Sequence, residues 1–172
     1  MEWMRGKALA PLLPCLRISI TRMRKKEREI CETRELESII DRAFVCRLAM
    51  CEECAPYVVP LCFGYEKGAL YFHSAREGRK LEILKKNPRV SFEMDIDWEI
   101  IRSGDHCNMR YRNVIGFGNA SFVEDPEDKR NSLDLIMRHY HQEPFGYPED
   151  TLKRTAIIKV EIEEMTGKAY GY

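Results

Sequence analysis

The chain has 172 residues, with 28 lysines and arginines against 28 aspartates and glutamates, 44% hydrophobic residues and seven cysteines. That length fits one domain, able to bury a sizeable core without a disulfide or metal staple. Zero net charge excludes the basic footprint of a protein that grips nucleic acid through many phosphates, and no apolar run approaches the ~20 residues that cross a bilayer. Neither nucleic acid nor membrane is an expected partner. The cysteines (Cys15, Cys31, Cys46, Cys51, Cys54, Cys62 and Cys107) are odd in number and irregularly spaced. They read as reduced thiols of a cytoplasmic protein, several packed as small apolar side chains, and not as a secreted scaffold.

Residues 1–22 carry Pro11 and Pro14 inside a short apolar stretch and lack a clean signal-peptide pattern. They read as an extension or a misplaced start, with one folded domain over 23–172. The basic cluster Arg22, Arg24, Lys25, Lys26 and Arg28 is interleaved with Glu27, Glu29 and Glu32, as on a solvated helix face. Thr33 then caps a helix whose Leu36, Ile39, Ile40 and Ala43 fall on one buried stripe. Period-two alternation makes Phe44–Met50 a strand. A turn through Glu52–Pro56 leads to a second strand, Tyr57–Tyr65, and Glu66-Lys67-Gly68 closes a hairpin onto Ala69–His73.

A short helix with Leu81 and Leu84 inward stops at Asn87-Pro88, and Arg89–Trp98 returns as a strand. Glu99–Met109 has no period and reads as a loop. Tyr111–Val123 is a long strand in which Gly116 and Gly118 mark a bend or a close backbone approach. Pro126 opens a helix with Leu133, Ile136, Met137 and Tyr140; Gln142–Asp150 is a loop; Thr155–Met165 is the last strand. About six strands with three singly inserted helices predict a mainly β protein: an antiparallel barrel with peripheral helices, curled to protect its edges.

Chemistry concentrates where a strand ends at His73 and a helix starts within a few residues. Ser74 adds a hydroxyl, Gly78 removes a Cβ, and Arg76, Arg79 and Lys80 bring positive charge to the end of a helix that already favours an anion. Cations oppose the dipole at that end, so a bound phosphate explains them better than a bare cap does, although Glu77 softens the argument.

Five ordered blocks carry a resemblance: Pro56–Gly64, Gly68–Ala75 with Gly78–Lys80, Asn87–Phe92, Tyr111–Gly118 and Met165–Ala169. Together they closely resemble the nitroimidazole-resistance-like branch of the pyridoxamine phosphate oxidase-like superfamily, over about residues 24–170. The resemblance implies an FMN-binding split β-barrel of Greek-key type, a homodimer with FMN at the subunit interface, and a flavin-dependent reductase of a small molecule such as a nitro-aromatic. It implies phosphate contacts from His73, Ser74, Ala75 and Lys80, with Phe72 and Arg79 also among the cofactor-binding residues. The flavin ring would lie along Val58, Val59, Pro60, Leu61 and Cys62, meeting backbone groups of Val59 and Leu61, with further contacts from Arg112, Asn113 and Val114. Asn113 stands where many relatives have Ser. The Arg- and Pro-containing C-terminal motif of true pyridoxamine phosphate oxidases is missing, which disfavours oxidation of pyridoxamine phosphate.

His73 is the candidate catalytic residue, able to exchange a proton near neutral pH, although contact with the ligand is the favoured role. Cys46, Cys51 and Cys54 echo an iron–sulfur spacing, but alternation makes Cys46 a core residue and places the other two at a turn. No metal is expected. His139 and His141, two apart on a helix, do not share a face. Three alternatives stay open: a non-catalytic flavin electron carrier or redox sensor, a barrel holding a deazaflavin or haem instead, and a cofactor-free interaction module.

Overall fold

The computed structural model of the protein describes residues 23–144 and 146–172; the N-terminal extension expected over 1–22 lies outside them. A short 3-10 turn (Lys26–Arg28) and β1 (Glu29–Ile30) precede helix α1 (Thr33–Arg42). Then come β2 (Cys46–Glu52), β3 (Ala55–Leu61), β4 (Gly64–Glu66), β5 (Ala69–Ala75), α2 (Arg79–Lys86), β6 (Arg89–Ser103) and β7 (His106–Val123). Helices α3 (Pro126–His139) and α4 (Glu149–Arg154) lead into β8 (Thr155–Tyr170).

All strands belong to one antiparallel sheet in the order β3-β2-β6-β7-β8-β5-β4, with β1 added on β8. The two ends of that path, β3 and β4, are consecutive in the chain and joined only by Cys62 and Phe63. Seven flat strands would hold their outer members about 29 Å apart, whereas this link reaches about 11 Å. The sheet therefore curls into a barrel, split where β3 and β4 fail to pair. The mainly β split barrel expected from the sequence is the observed fold.

Alternation fills the interior. Cys46, Leu48 and Met50 of β2, Phe72 of β5, Phe92 and Met94 of β6 and Val114 of β7 are buried. Helix α1 adds Leu36, Ile39 and Ile40 to the same core, the stripe its spacing predicts. Gly116 and Gly118 are sites of close approach: a Cβ at Gly116 would stand 2.1 Å from Cζ of fully buried Phe92, and one at Gly118 would stand 2.3 Å from the Glu161 carbonyl. The β7–β8 register also shifts between them, at Phe117/Gly118.

Helix α3 holds the split together. The Tyr140 hydroxyl accepts the Phe63 N–H at 3.1 Å and donates to the Phe44 carbonyl at 2.9 Å. His139 donates through Nε2 to the Ala43 carbonyl at 2.8 Å, its ring 4.2 Å from that of Phe63. Burial pushes the Tyr140 phenol up to about 12, so the hydroxyl keeps the proton it donates.

Several boundaries differ from expectation. Thr33 is the first helical residue of α1; Glu32 occupies the cap, and no side chain caps the end. The single strand expected over 57–65 is broken at Cys62-Phe63, because the chain there crosses from one sheet edge to the other. Glu99–Met109 is not a loop: β6 and β7 continue through it as a paired hairpin. Its residues are almost all exposed, and a register shift after Ile96, with Asp97 at φ 56°, interrupts the alternation. With neither face buried, no hydrophobic period marks the strand. Helix α4, six residues long, was not expected.

Gly116→Ala is expected to lower stability by about 1–3 kcal/mol or more, because neither Phe92 nor the opposing backbone has room to yield. Tyr140→Phe keeps the ring but strands the Phe63 amide, for an expected loss of about 1–3 kcal/mol. Urea midpoints of the two variants check both values.

Candidate functional site

Strand β3 pairs with β2 on one side and, among the described residues, has no strand on the other. Pro56 and Pro60 stand at the same alternation of this strand, which suits an edge, where a missing N–H costs no ladder bond. Val58 lies between them, 55% exposed. Val59 and Leu61 alternate inward and pack against the core; Cys62 follows, exposed, at the split.

Register places the outward residues of neighbouring strands in rows across the outer sheet face. Val58 lies across from Ala49, which faces Ser91 and then Phe117; Pro60 lies across from Arg47, which faces Glu93 and then Ile115. Asp95 faces Asn113 in the next row. Arg47 Nη1 reaches Glu93 Oε2 at 3.0 Å and Asp95 Oδ1 at 2.5 Å. Burial, then repulsion from Asp95, raises the Glu93 carboxyl against the pull of Arg47. Sequence reasoning passed over this triad, although a charged residue alternating with Cys46 and Leu48 was a visible signal for the outer face.

At the end of β5, the backbone turns through Gly78 (φ 132°, ψ 157°) into α2. No side chain caps this helix, and the backbone amides of Arg79 and Lys80 have no acceptor among the described residues. A Cβ at Gly78 would meet nothing within 4 Å, but an L side chain rarely adopts that φ. Helix α3 is built differently: Asp125 accepts from the Glu127 and Asp128 amides, and its first turn carries those two acids, where α2 has Arg79 and Lys80 with the single acid Glu82. Lys80 has no ion pair among the described residues. Arg79 contacts Glu52 Oε2 at 3.3 Å and stacks over the Tyr57 ring, 4.8 Å from its centroid. Those contacts tie the start of α2 to the β2–β3 hairpin, so the two expected halves of the site adjoin.

The other expected residues divide by where their side chains point. His73 is exposed on β5, on the face opposite Phe72, and Ala75 is exposed beside it. Ser74 is buried and donates to the Ala75 carbonyl at 2.9 Å, so its hydroxyl is already engaged. Phe72 and Val114 are fully buried, leaving only backbone for a ligand. Asn113 shares the outer face with β3. Arg112 takes the opposite alternation, bound to Asp97 Oδ2 at 2.7 Å and stacked 3.7 Å from the Tyr172 ring centroid. A cleft of about 480 Å³ between α3 and the sheet, lined in part by Tyr71, Asp128, Leu135 and Lys159, contains none of these residues. Cys46 is buried, its thiol pushed up by burial, and Cys51 contacts the Glu53 carbonyl through Sγ at 3.2 Å.

An unpaired strand edge beside an uncapped, basic helix start offers outward backbone groups, a flat apolar strip and an anion cradle together. A planar ring with a phosphate tail fits that combination. No helix of the described residues is long and apolar enough to cross a membrane.

A structure described as that of a candidate 5-nitroimidazole antibiotic resistance protein from Bacteroides thetaiotaomicron VPI-5482 is 37% identical, with a TM-score of 0.77 over 82% of this chain and 86% of that one. An uncharacterized protein of Rhizobium meliloti (strain 1021), RA0666, is 28% identical over 145 residues, covering 78% of this chain and 90% of its own. An FAD and haem binding protein from Mycobacterium smegmatis shares the fold at 18% identity, with a TM-score of 0.75 over 84% of this chain and 75% of that one. The family model for pyridoxamine 5'-phosphate oxidase matches residues 32–169, and the chain belongs to that family.

Proposed function

We propose that the protein binds FMN at the β3 edge and the start of α2, as a homodimer, and works as a flavin-dependent oxidoreductase on a small acceptor such as a nitro-aromatic. The observation that carries the reading is the uncapped α2 terminus, with Arg79 and Lys80 in its first turn, tied through Tyr57 to an edge strand that has no outer partner among the described residues. A flavin supplies reversible electron acceptance; placement and electrostatics come from the protein.

In this reading Lys80 and the first amides of α2 hold the phosphate, with Arg79 turning to it from Glu52. Val58 and Pro60 give the ring an apolar seat, and Asn113 lies two strands beyond Arg47 on the same face. His73, exposed next to the cradle, is the group placed to exchange a proton with the ligand. Val58 and Ile115, 55% and 39% exposed on one sheet face, support a second subunit covering that face.

FAD is the alternative cofactor, since the Mycobacterium smegmatis protein of the same fold is an FAD and haem binding protein. Purified protein is expected to be yellow, and the mass of the heat-released chromophore separates FMN from FAD and from haem. Lys80→Glu removes a charge-assisted hydrogen bond and adds repulsion, so FMN affinity is expected to fall about 100-fold or more. Ser74→Ala should change it far less, because that hydroxyl is already bonded to Ala75. Unchanged flavin occupancy in Lys80→Glu overturns the site. Light scattering tests the dimer, and turnover of a nitro-aromatic with reduced nicotinamide tests the activity.

A further inference from the structure

A second basic cleft, of about 330 Å³, lies between the loop after β5 and the starts of α3 and α4. Four cations line it, Arg76, Lys129, Arg130 and Lys153, against two carboxylates, Glu124 and Glu149. A smaller neighbouring hollow shares Arg76, Glu124 and Lys129. The cleft is separate from the cradle in its contacts. Arg76 donates to the Lys153 carbonyl at 3.1 Å, whereas Arg79 turns to Glu52 and Tyr57.

Lys129 is the unusual member. It is 7% exposed, and its Nζ makes no hydrogen bond among the described residues; its nearest carboxylate, Glu124 Oε2, stands 3.8 Å away on a side chain 74% exposed. The Lys129 stem is buried while the ammonium opens into the cleft, with Glu124 within ion-pair range but beyond hydrogen-bond distance. Lys153 is similarly loose, 3.7 Å from Glu149 Oε2 with both side chains exposed. Arg130 has no carboxylate partner among the described residues. The helix dipole is not the attraction, since Asp125 already takes the first amides of α3. Leu152, 5% exposed, and Pro126 supply an apolar wall beside the charges.

We infer that this cleft binds a small phosphate monoester, its dianionic head on Lys129, Arg76 and Arg130 and its organic group against Leu152 and Pro126. Guanidinium forks suit a phosphoryl group, and the surplus of two positive charges matches its dianion. The inference does not rest on the flavin reading, because it draws on other side chains: Arg76, Lys129 and Arg130 here, against Arg79 and Lys80 at the start of α2.

The test is titration of full-length protein, as purified with any cofactor it carries, with phenyl phosphate and with inorganic phosphate, by calorimetry. Phenyl phosphate is expected to saturate one site per chain, more tightly than inorganic phosphate and more weakly as salt rises. Lys129→Met and Arg130→Gln should each weaken it about tenfold or more, while Lys80→Glu leaves it unchanged. Should Lys129→Met fail to fold, half-exposed Arg130 still gives the answer. No saturable binding at millimolar ligand overturns the inference. Binding that survives Arg130→Gln and disappears in Lys80→Glu also overturns it, since the phosphate would then occupy the α2 cradle.

Discussion

Cys62 and Phe63 link strands at opposite ends of the sheet path, so the sheet has to curl until those edges stand side by side. The two edges nonetheless do not pair with each other. An unpaired edge is ordinarily a liability that proteins cover or blunt. Here two prolines blunt the outer side of β3, and the Tyr140 and His139 hydrogen bonds hold Phe44, Ala43 and Phe63 in place from behind. The split is thus a fixed opening and not a frayed seam. The candidate cofactor site is built on that opening.

Charge on the outer face obeys a similar constraint. Arg47, Glu93 and Asp95 sit among Val58, Pro60 and Ile115, where two carboxylates share one guanidinium. The raised Glu93 carboxyl reports the tension of that arrangement: burial and its neighbour oppose ionisation, and Arg47 opposes protonation. While the face is half-open to water, such a triad is worth little to stability. A partner or ring laid over it would remove that screening, so its energetic weight depends on what covers it. That dependence sets it apart from the Asp97 cluster, whose carboxylate already has Arg42 and Arg112 from its own chain.

The parts of the fold legible in the sequence are those where one face meets the core. The α1 stripe, the β2 alternation, the Pro126 helix and the close approach at Gly116 each leave a local trace. The β6–β7 extension leaves none, because Glu99–Met109 is exposed on both faces and the bulge at Asp97 resets the period. The break in 57–65 was hidden for a different reason: it follows from where β4 pairs, which no local pattern encodes. Among candidate site residues, the cations Arg79 and Lys80 at the start of a helix were legible. The Arg47 triad and the Tyr140 clamp were not, since each depends on register or contact between segments distant in sequence. Ser74 and Arg112 illustrate the converse, with suitable chemistry in the sequence but side chains already engaged elsewhere in the fold.

Helices α2 and α3 show how an uncapped, basic helix start can persist. Helix α3 takes the stable solution, Asp125 on its first amides and Glu127 and Asp128 in its first turn. Helix α2 forgoes the cap and places Arg79 and Lys80 where the dipole disfavours them, each at a cost of about 0.3–1 kcal/mol. Leu81, Ile83 and Leu84 are buried along the same eight-residue helix, and a buried Leu or Ile side chain returns about 1.5–3 kcal/mol. Packing therefore exceeds the electrostatic penalty several times over, and the helix forms whether or not an anion is present. The penalty remains as local potential at the helix start, where an anion would meet backbone amides already in position, so that little binding energy would be spent on ordering the loop.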